Sequence, residues 1–293
     1  MSCYRYAFVL LIMLALTQLF AQPLRILVTT DMHGRLESSL STGFIFGGAA
    51  EMLAYWKLVE NYHPEDFLLI SAGDNASGTA LSDMFNGEPA IDAMNYMGYD
   101  VSAVGNHEFD YGLDGFRRMM SMAAFPFIAG NISYTNGLPY TEVPRGIIYE
   151  EQGVKVGLIG IALKQSYPSA GLVGKTYAPV VRTTAEQLRA QGAQVLILVS
   201  HLTRADLLKL SAEVADLQIP LMLGGHSHYF EQVKSGNTWI IVNGEYWRTY
   251  TRIDLDYDPE TGETFLLSCK LEYLRQVPPV AVLLFFFWRK IIQ

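Results

Sequence analysis

Six histidines punctuate the 293-residue chain, and five of them stand just after an apolar run of the kind that forms a buried strand. These are His33, His107, His201, His226 and His228; His63, ahead of Pro64 in a polar turn, is the exception. Each of the five has neighbours able to grip a cation. Asp31 and His33 lie two apart as a strand runs out, so both side chains point to one side. Gly73-Asp74 ends the run Leu69 to Ala72, and Gly105-Asn106-His107-Glu108-Phe109-Asp110 packs a neutral oxygen donor, an imidazole and a carboxylate behind Val101 to Val104. His201 closes Gln194 to Ser200, and His226 and His228 follow the pair Gly224-Gly225, which lets the backbone approach closely. The candidate ligands are Asp31, His33, Asp74, Asn106, His201, His226 and His228. This oxygen and nitrogen set suits Mn, Zn, Fe, Co or Mg, and its size fits two divalent ions sharing a carboxylate. Only two cysteines occur, Cys3 and Cys269, so a thiolate zinc site or a disulfide framework is excluded by count.

The elements that must position these residues are legible as an alternation. Short runs rich in Val, Ile, Leu and Phe read as buried strands at Leu24 to Thr30, Asp66 to Ala72, Val101 to Val104, Phe125 to Ala129, Val154 to Ala162, Gln194 to Ser200, Ile219 to Leu223, Trp239 to Asn243 and Thr251 to Leu255. Helical periodicity fills the gaps. Ala49 to Asn61 puts Met52, Leu53, Trp56 and Val59 on one face, Pro89 to Met97 does so with Ile91, Met94 and Met97, and Leu113 to Ala123 with Phe116 and Met120. Two further helix starts are expected at Thr183 with Glu186 and at Thr203 with Asp206. The pattern predicts an α/β layered domain with an antiparallel finish over Trp239 to Tyr273. In such sheets, ligands bind where loops leave the carboxyl ends of the strands, which is where the five histidines fall.

Composition narrows the partners. Half of the residues are hydrophobic and 17% are charged, which excludes a disordered chain, a collagen and a coiled coil. With 21 basic against 29 acidic residues and a net charge of -8, no basic footprint exists for a nucleic-acid polymer. Bound cations are the natural source of positive charge for any phosphate recognised here.

The motifs Asp31-x-His33, Gly73-Asp74, Gly105-Asn106-His107-Glu108, His201 and Gly225-His226-Ser227-His228 resemble, in order, those of the calcineurin-like metallophosphoesterases. The likeness is to their exported 5′-nucleotidase and UDP-sugar hydrolase branch, through Gly-Asn-His-Glu-Phe-Asp at 105–110 and the segment Asp92 to Asp100 before it. The resemblance covers about residues 24–275. It implies a four-layer αββα sandwich of two mixed sheets flanked by helices. It implies Asp31, His33, Asp74 and His228 around one ion and Asp74, Asn106, His201 and His226 around the second, with Asp74 bridging. It also implies a catalytic pair, His107 and Asp110, with His107 off the metals, and in-line attack on a small phosphoester by hydroxide shared between the ions. Arg35 is near enough in sequence to touch a phosphate or to be simply solvated.

The chain ends carry their own expectations. Met1 to Phe20 combines Arg5, the apolar stretch Ala7 to Leu16 and a small residue at Ala21, the anatomy of a signal peptide over 1–21 and hence of a periplasmic, cell-surface or extracellular product. An uncleaved anchor is the rival reading. Residues 22–275 form the expected catalytic domain, and 276–293 an apolar tail, either a truncation or a docking segment for the C-terminal nucleotide-binding domain that relatives in this branch carry. Membrane association would come only through the anchor or that tail. The alternative function is a metal-binding remnant without turnover. The sequons at Asn75 and Asn131 are read as chance.

Overall fold

The computed structural model describes residues 23–41, 44–151 and 153–274. The expected signal segment, Cys3 and the apolar tail lie outside the described residues. The chain begins with β1 (Leu24–Thr29), a hairpin of β2 (Ser39–Ser41) and β3 (Phe44–Phe46), helix α1 (Ala49–Val59) and strand β4 (Leu68–Ser71). Helices α2 (Ala80–Met84) and α3 (Glu88–Met97) lead to β5 (Val101–Ala103), and α4 (Gly112–Met122) leads to β6 (Phe127–Ile128) and β7 (Ile132–Tyr134). Next come β8 (Gly146–Glu151), β9 (Val154–Ile161), β10 (Ser166–Tyr167), β11 (Leu172–Gly174), α5 (Ala178–Ala190), β12 (Val195–Ser200), α6 (Arg204–Glu213) and β13 (Leu221–Gly224). Four strands finish the fold: β14 (Glu231–Ser235), β15 (Thr238–Val242), β16 (Thr249–Tyr257) and β17 (Thr264–Tyr273).

Two six-stranded mixed sheets carry the architecture. One has the order β17-β16-β1-β4-β5-β6 and the other β14-β15-β13-β12-β9-β8. Strands β1, β4, β5 and β6 run parallel, as do β15, β13, β12 and β9, so in each sheet consecutive carboxyl ends share an edge. The sheets face each other through Ile26, Val28, Ile70 and Val101 on one side and Leu158, Ile197, Val199 and Leu223 on the other, all buried. Each such side chain contributes about 1.5–3 kcal/mol on leaving water. The outer face of the first sheet is covered by α1, α3 and α4 through Trp56, Ile91, Met94, Phe116 and Met119. The second is covered by α5 and α6 through Val181, Ala185, Leu188, Leu207 and Leu210. These are the four αββα layers the sequence resemblance implied.

Local chemistry explains most boundaries. α3 starts with Pro89 in its first turn and stops at Gly98, whose φ of 85° closes the helix in the left-handed region. Thr203 caps α6 by accepting from Asp206 N–H, as expected. The expected start at Thr183 is wrong. α5 begins five residues earlier with Pro179 in its first turn, and Thr183 sits inside it with its hydroxyl donating back to Pro179 O at 2.9 Å. Val59 is half exposed because α1 ends there, and Met119 rather than Met120 fills the buried face of α4. The antiparallel finish holds for β16 and β17, and for β14 with β15, but β15 also pairs parallel to β13 and so extends the second sheet. Asn75 and Asn131 are buried and hydrogen-bonded, which leaves neither sequon open to a glycan.

Candidate metal centre

The carboxyl ends of β1, β4 and β5 in one sheet and of β12 and β13 in the other meet at one place. There Asp31, His33, Asp74, His107, His201, His226 and His228 form three overlapping groups whose ligand atoms lie within 4.8 Å of one another: Asp31 with His33 and His228, His33 with Asp74 and His107, and Asp74 with His201 and His226. Asp74 belongs to two of the three. Its Oδ2 is 2.8 Å from His201 Nε2 and 3.9 Å from His33 Nε2, while Asp31 Oδ1 is 3.3 Å from His228 Nε2 and 3.7 Å from His201 Nε2. Asn106, one residue before His107, has a buried Oδ1.

The backbone is bent to bring these groups in. Asp31, His33, Asp74, His226 and His228 all have φ between 50° and 69°. This conformation costs a non-glycine residue of order 1–3 kcal/mol and persists where surroundings impose it. The surroundings are the neighbouring loops: Asp31 N–H donates to Gly73 O at 2.9 Å and His33 N–H to Asp74 O at 3.0 Å. Two glycines have no alternative. A Cβ at Gly105 would meet the Asp74 carboxylate, and one at Gly225 would meet Thr30 Oγ1 and Asp31 Oδ2.

The imidazoles are oriented by partners that distance in sequence concealed. His33 Nδ1 lies 3.0 Å from Ser77 O, His201 Nδ1 2.8 Å from Ala72 O and His228 Nδ1 2.5 Å from Glu245 Oε2. Carbonyl and carboxylate oxygens only accept, so each Nδ1 carries a proton and each Nε2 points inward, available as a ligand whenever the ring is neutral. Those Nε2 atoms face one another and the carboxylates; His33 Nε2 is 3.3 Å from His228 Nε2. Asp31 Oδ2 already accepts from Thr30 Oγ1 and His226 N–H, but Asp31 Oδ1 and Asn106 Oδ1 are buried without a hydrogen-bond partner. Such a convergence of acceptors is unfavourable without positive charge at its centre. The residues present therefore fit divalent cations.

Ionisation equilibria report the same demand. Burial works against a charged His201, yet Asp74 and Asp31 outweigh it and push the imidazole up to about 10. Burial likewise opposes charge on Asp74, and His201 and His107 hold it below the usual carboxylate range. His228 is raised by the adjacent Asp31 carboxylate, with help from Glu245, against burial, whereas burial lowers His33 and His226. His107 is raised, because Asp74 and its bond to Asp110 overcome burial.

His107 differs from the others in exposure. Its Nδ1 sits 2.7 Å from Asp110 Oδ2, which also accepts from Ser77 Oγ at 2.6 Å, and its side chain is 41% exposed where that of His201 is fully buried. Two further residues were not assigned from sequence. Glu108 is buried and accepts from Asp74 N–H, Asn75 N–H and Gly105 N–H at 2.6–3.0 Å, tying the β4 loop to the β5 loop; burial and Asp74 raise it to about 7. Glu245, the partner of His228, follows β15, a parallel strand of the second sheet, and inspecting every parallel strand end would have found it.

A two-sheet αββα sandwich with an oxygen and nitrogen pocket at its strand ends defines a metal-dependent phosphoesterase architecture. The model of the calcineurin-like phosphoesterases matches residues 24–230, and the chain belongs to that family, whose chemistry is metal-dependent hydrolysis of phosphoric esters. Endonuclease YhcR of Bacillus subtilis is 25% identical over 291 residues, covering 87% of this chain and 24% of that protein. Snake venom 5′-nucleotidase of Gloydius brevicauda is 30% identical over 243 residues, covering 76% of this chain and 40% of that protein. The crystal structure of a 5′-nucleotidase precursor from Thermus thermophilus superposes with a TM-score of 0.73 at 22% identity, over 92% of this chain and 59% of the other. The chain thus spans well under half the length of these two sequence relatives.

Proposed function

We propose that this chain is an exported hydrolase of small phosphoesters of the 5′-nucleotidase type, acting on nucleoside monophosphates, UDP-sugars or 2′,3′-cyclic nucleotides. Asp31, His33, Asp74 and His228 hold one divalent ion in this reading, and Asp74, Asn106, His201 and His226 hold the second. Mn, Zn, Fe, Co and Mg all suit the donors. Residues 22–275 are the catalytic domain, behind a signal peptide over 1–21 and ahead of an apolar tail.

The observation that carries the reading is the gathering of Asp31, Asp74 and five imidazoles into three overlapping groups of ligand atoms, two of which share Asp74. Bound divalent ions acidify water and neutralise phosphoryl oxygens. The chain's own residues do the rest. His107, held at Nδ1 by Asp110, offers Nε2 to the departing oxygen, and its raised affinity for a proton suits a group that must donate one near neutrality. The side chain is 41% exposed, which supports a role in meeting a ligand. Ser77 fixes Asp110, and so limits rotation of the pair.

The test is a hydrolysis assay of a generic aryl phosphate, a bis-aryl diester and AMP with added Mn and then after chelation. Turnover of at least one ester is expected, lost on chelation and restored by Mn. Equal rates with and without chelator, or no turnover of any ester, would defeat the proposal and favour a metal-binding protein without catalysis.

A further inference from the structure

The turn after β15 forms one rim of the pocket, and its backbone is unusual. Tyr246 and Trp247 have φ of 62° and 56°, values that bulky side chains adopt only where neighbours hold them. Tyr246 N–H donates to Asp31 O at 2.9 Å, Trp247 is buried against Tyr99 with ring centroids 6.0 Å apart, and a Cβ at Gly47 would strike Tyr246 O. The turn is therefore anchored to the loop that carries Asp31. It presents the Tyr246 ring 5.7 Å from the His33 ring and 5.5 Å from the His228 ring.

Two guanidinium groups attend this ring, Arg35 at 4.1 Å and Arg248 at 5.2 Å from its centroid. A ring engaged by two cations is a mount for those cations rather than a free platform for a base. Arg248 shares its charge with Glu245 at 3.5 Å, and Glu245 also holds His228. Arg35 is exposed and has no carboxylate partner among the described residues, so one positive charge is left beside the pocket. Its planar fork is suited to a phosphate.

We propose that Arg35 and Arg248, mounted on Tyr246, form a subsite for a second anionic group and select phosphoesters whose alcohol portion carries a further phosphate. The inference rests on the hydrolase reading only for the position of the scissile group. Its test is calorimetric, in the Mn-loaded His107→Ala protein, where slow turnover lets binding be read: AMP is compared with adenosine 3′,5′-bisphosphate. The bisphosphate is expected to bind about tenfold more tightly, the scale of a charge-assisted contact at a partly exposed site. Arg35→Ala brings the ratio toward one, and so does Tyr246→Leu, which removes the mount and no charge. Equal affinities, or a preference surviving both substitutions, overturn the subsite. A preserved preference in a protein whose wild type hydrolyses none of these nucleotides, the aryl phosphate or the diester supports the subsite and overturns the hydrolase reading instead.

Discussion

The two ends of the parallel strands bury carboxylates in opposite ways. At the amino end, Asp100 precedes β5 and accepts from Leu69 N–H at 2.7 Å and from Tyr149, while nearby Asp66 pairs with Arg25 at 3.3 Å. Burial raises Asp100 to about 6, toward its neutral form. At the carboxyl end, Asp74 is buried too but stays charged, because His201 and His107 lie against it. Burial by itself thus makes a carboxylate easier to protonate. What fits this end to a cation is the crowding of Asp31, Asp74 and the facing imidazoles, with Asp31 Oδ1 buried and left without a hydrogen-bond partner.

The contrast is broken most severely at Asp74. Asp74→Ala is expected to empty both proposed metal positions and reduce hydrolysis to background, measured by elemental analysis and a phosphate-release assay; retention of two ions would rule out a bridging role. His107→Ala separates chemistry from ligation: kcat should fall roughly 10²- to 10⁴-fold, the range for a lost general acid, while metal content is retained. Loss of metal there would mean that acid and ligand roles are confused. Glu245→Gln probes the orientation of His228 and should weaken Mn affinity about 10- to 100-fold in a direct titration, as for other partners of ligating histidines. An unchanged affinity would leave the 2.5 Å contact without a role in ligation.

The mildest effect belongs to the amino end. Asp100 binds its proton more tightly in the folded chain than in the unfolded one, so between about pH 4 and 6 the folded state holds the extra proton and stability falls as pH rises. Asp100→Asn keeps an acceptor for Leu69 N–H and removes the charge. It should flatten that slope and raise Tm at pH 7 by roughly 2–4 °C, the shift about 1 kcal/mol gives in a domain of this size. A thermal melt series across pH checks this, and an unaltered slope would place its origin elsewhere.

Reading the fold from sequence worked where a segment's burial is recorded in its own periodicity. The runs ending in Asp31, Asp74, His107, His201 and His226 were visible as strands because both faces of a central parallel strand must be apolar. Strands β8 and β14 were missed for the converse reason: they are sheet edges, and Gly-Ile-Ile-Tyr-Glu-Glu and Glu-Gln-Val-Lys-Ser alternate too weakly to announce themselves. The Thr183 error is similar in kind. A hydroxyl followed by an acid is a fair cap signal, but Pro179 upstream was the stronger start.

By itself, then, the sequence determined the supply: seven oxygen and nitrogen donors, the His107 and Asp110 pair, glycines where backbones must touch, and the alternation that sends those residues to strand ends. Tertiary structure alone decided their use. Which nitrogen of His33, His201 and His228 faces inward depends on Ser77, Ala72 and Glu245, residues 44, 129 and 17 positions away. The positive charge left on the rim depends on Arg35 meeting a turn some 200 residues later. Local sequence records the burial of each segment, whereas hydrogen bonds between segments exist only once the two sheets have closed on each other.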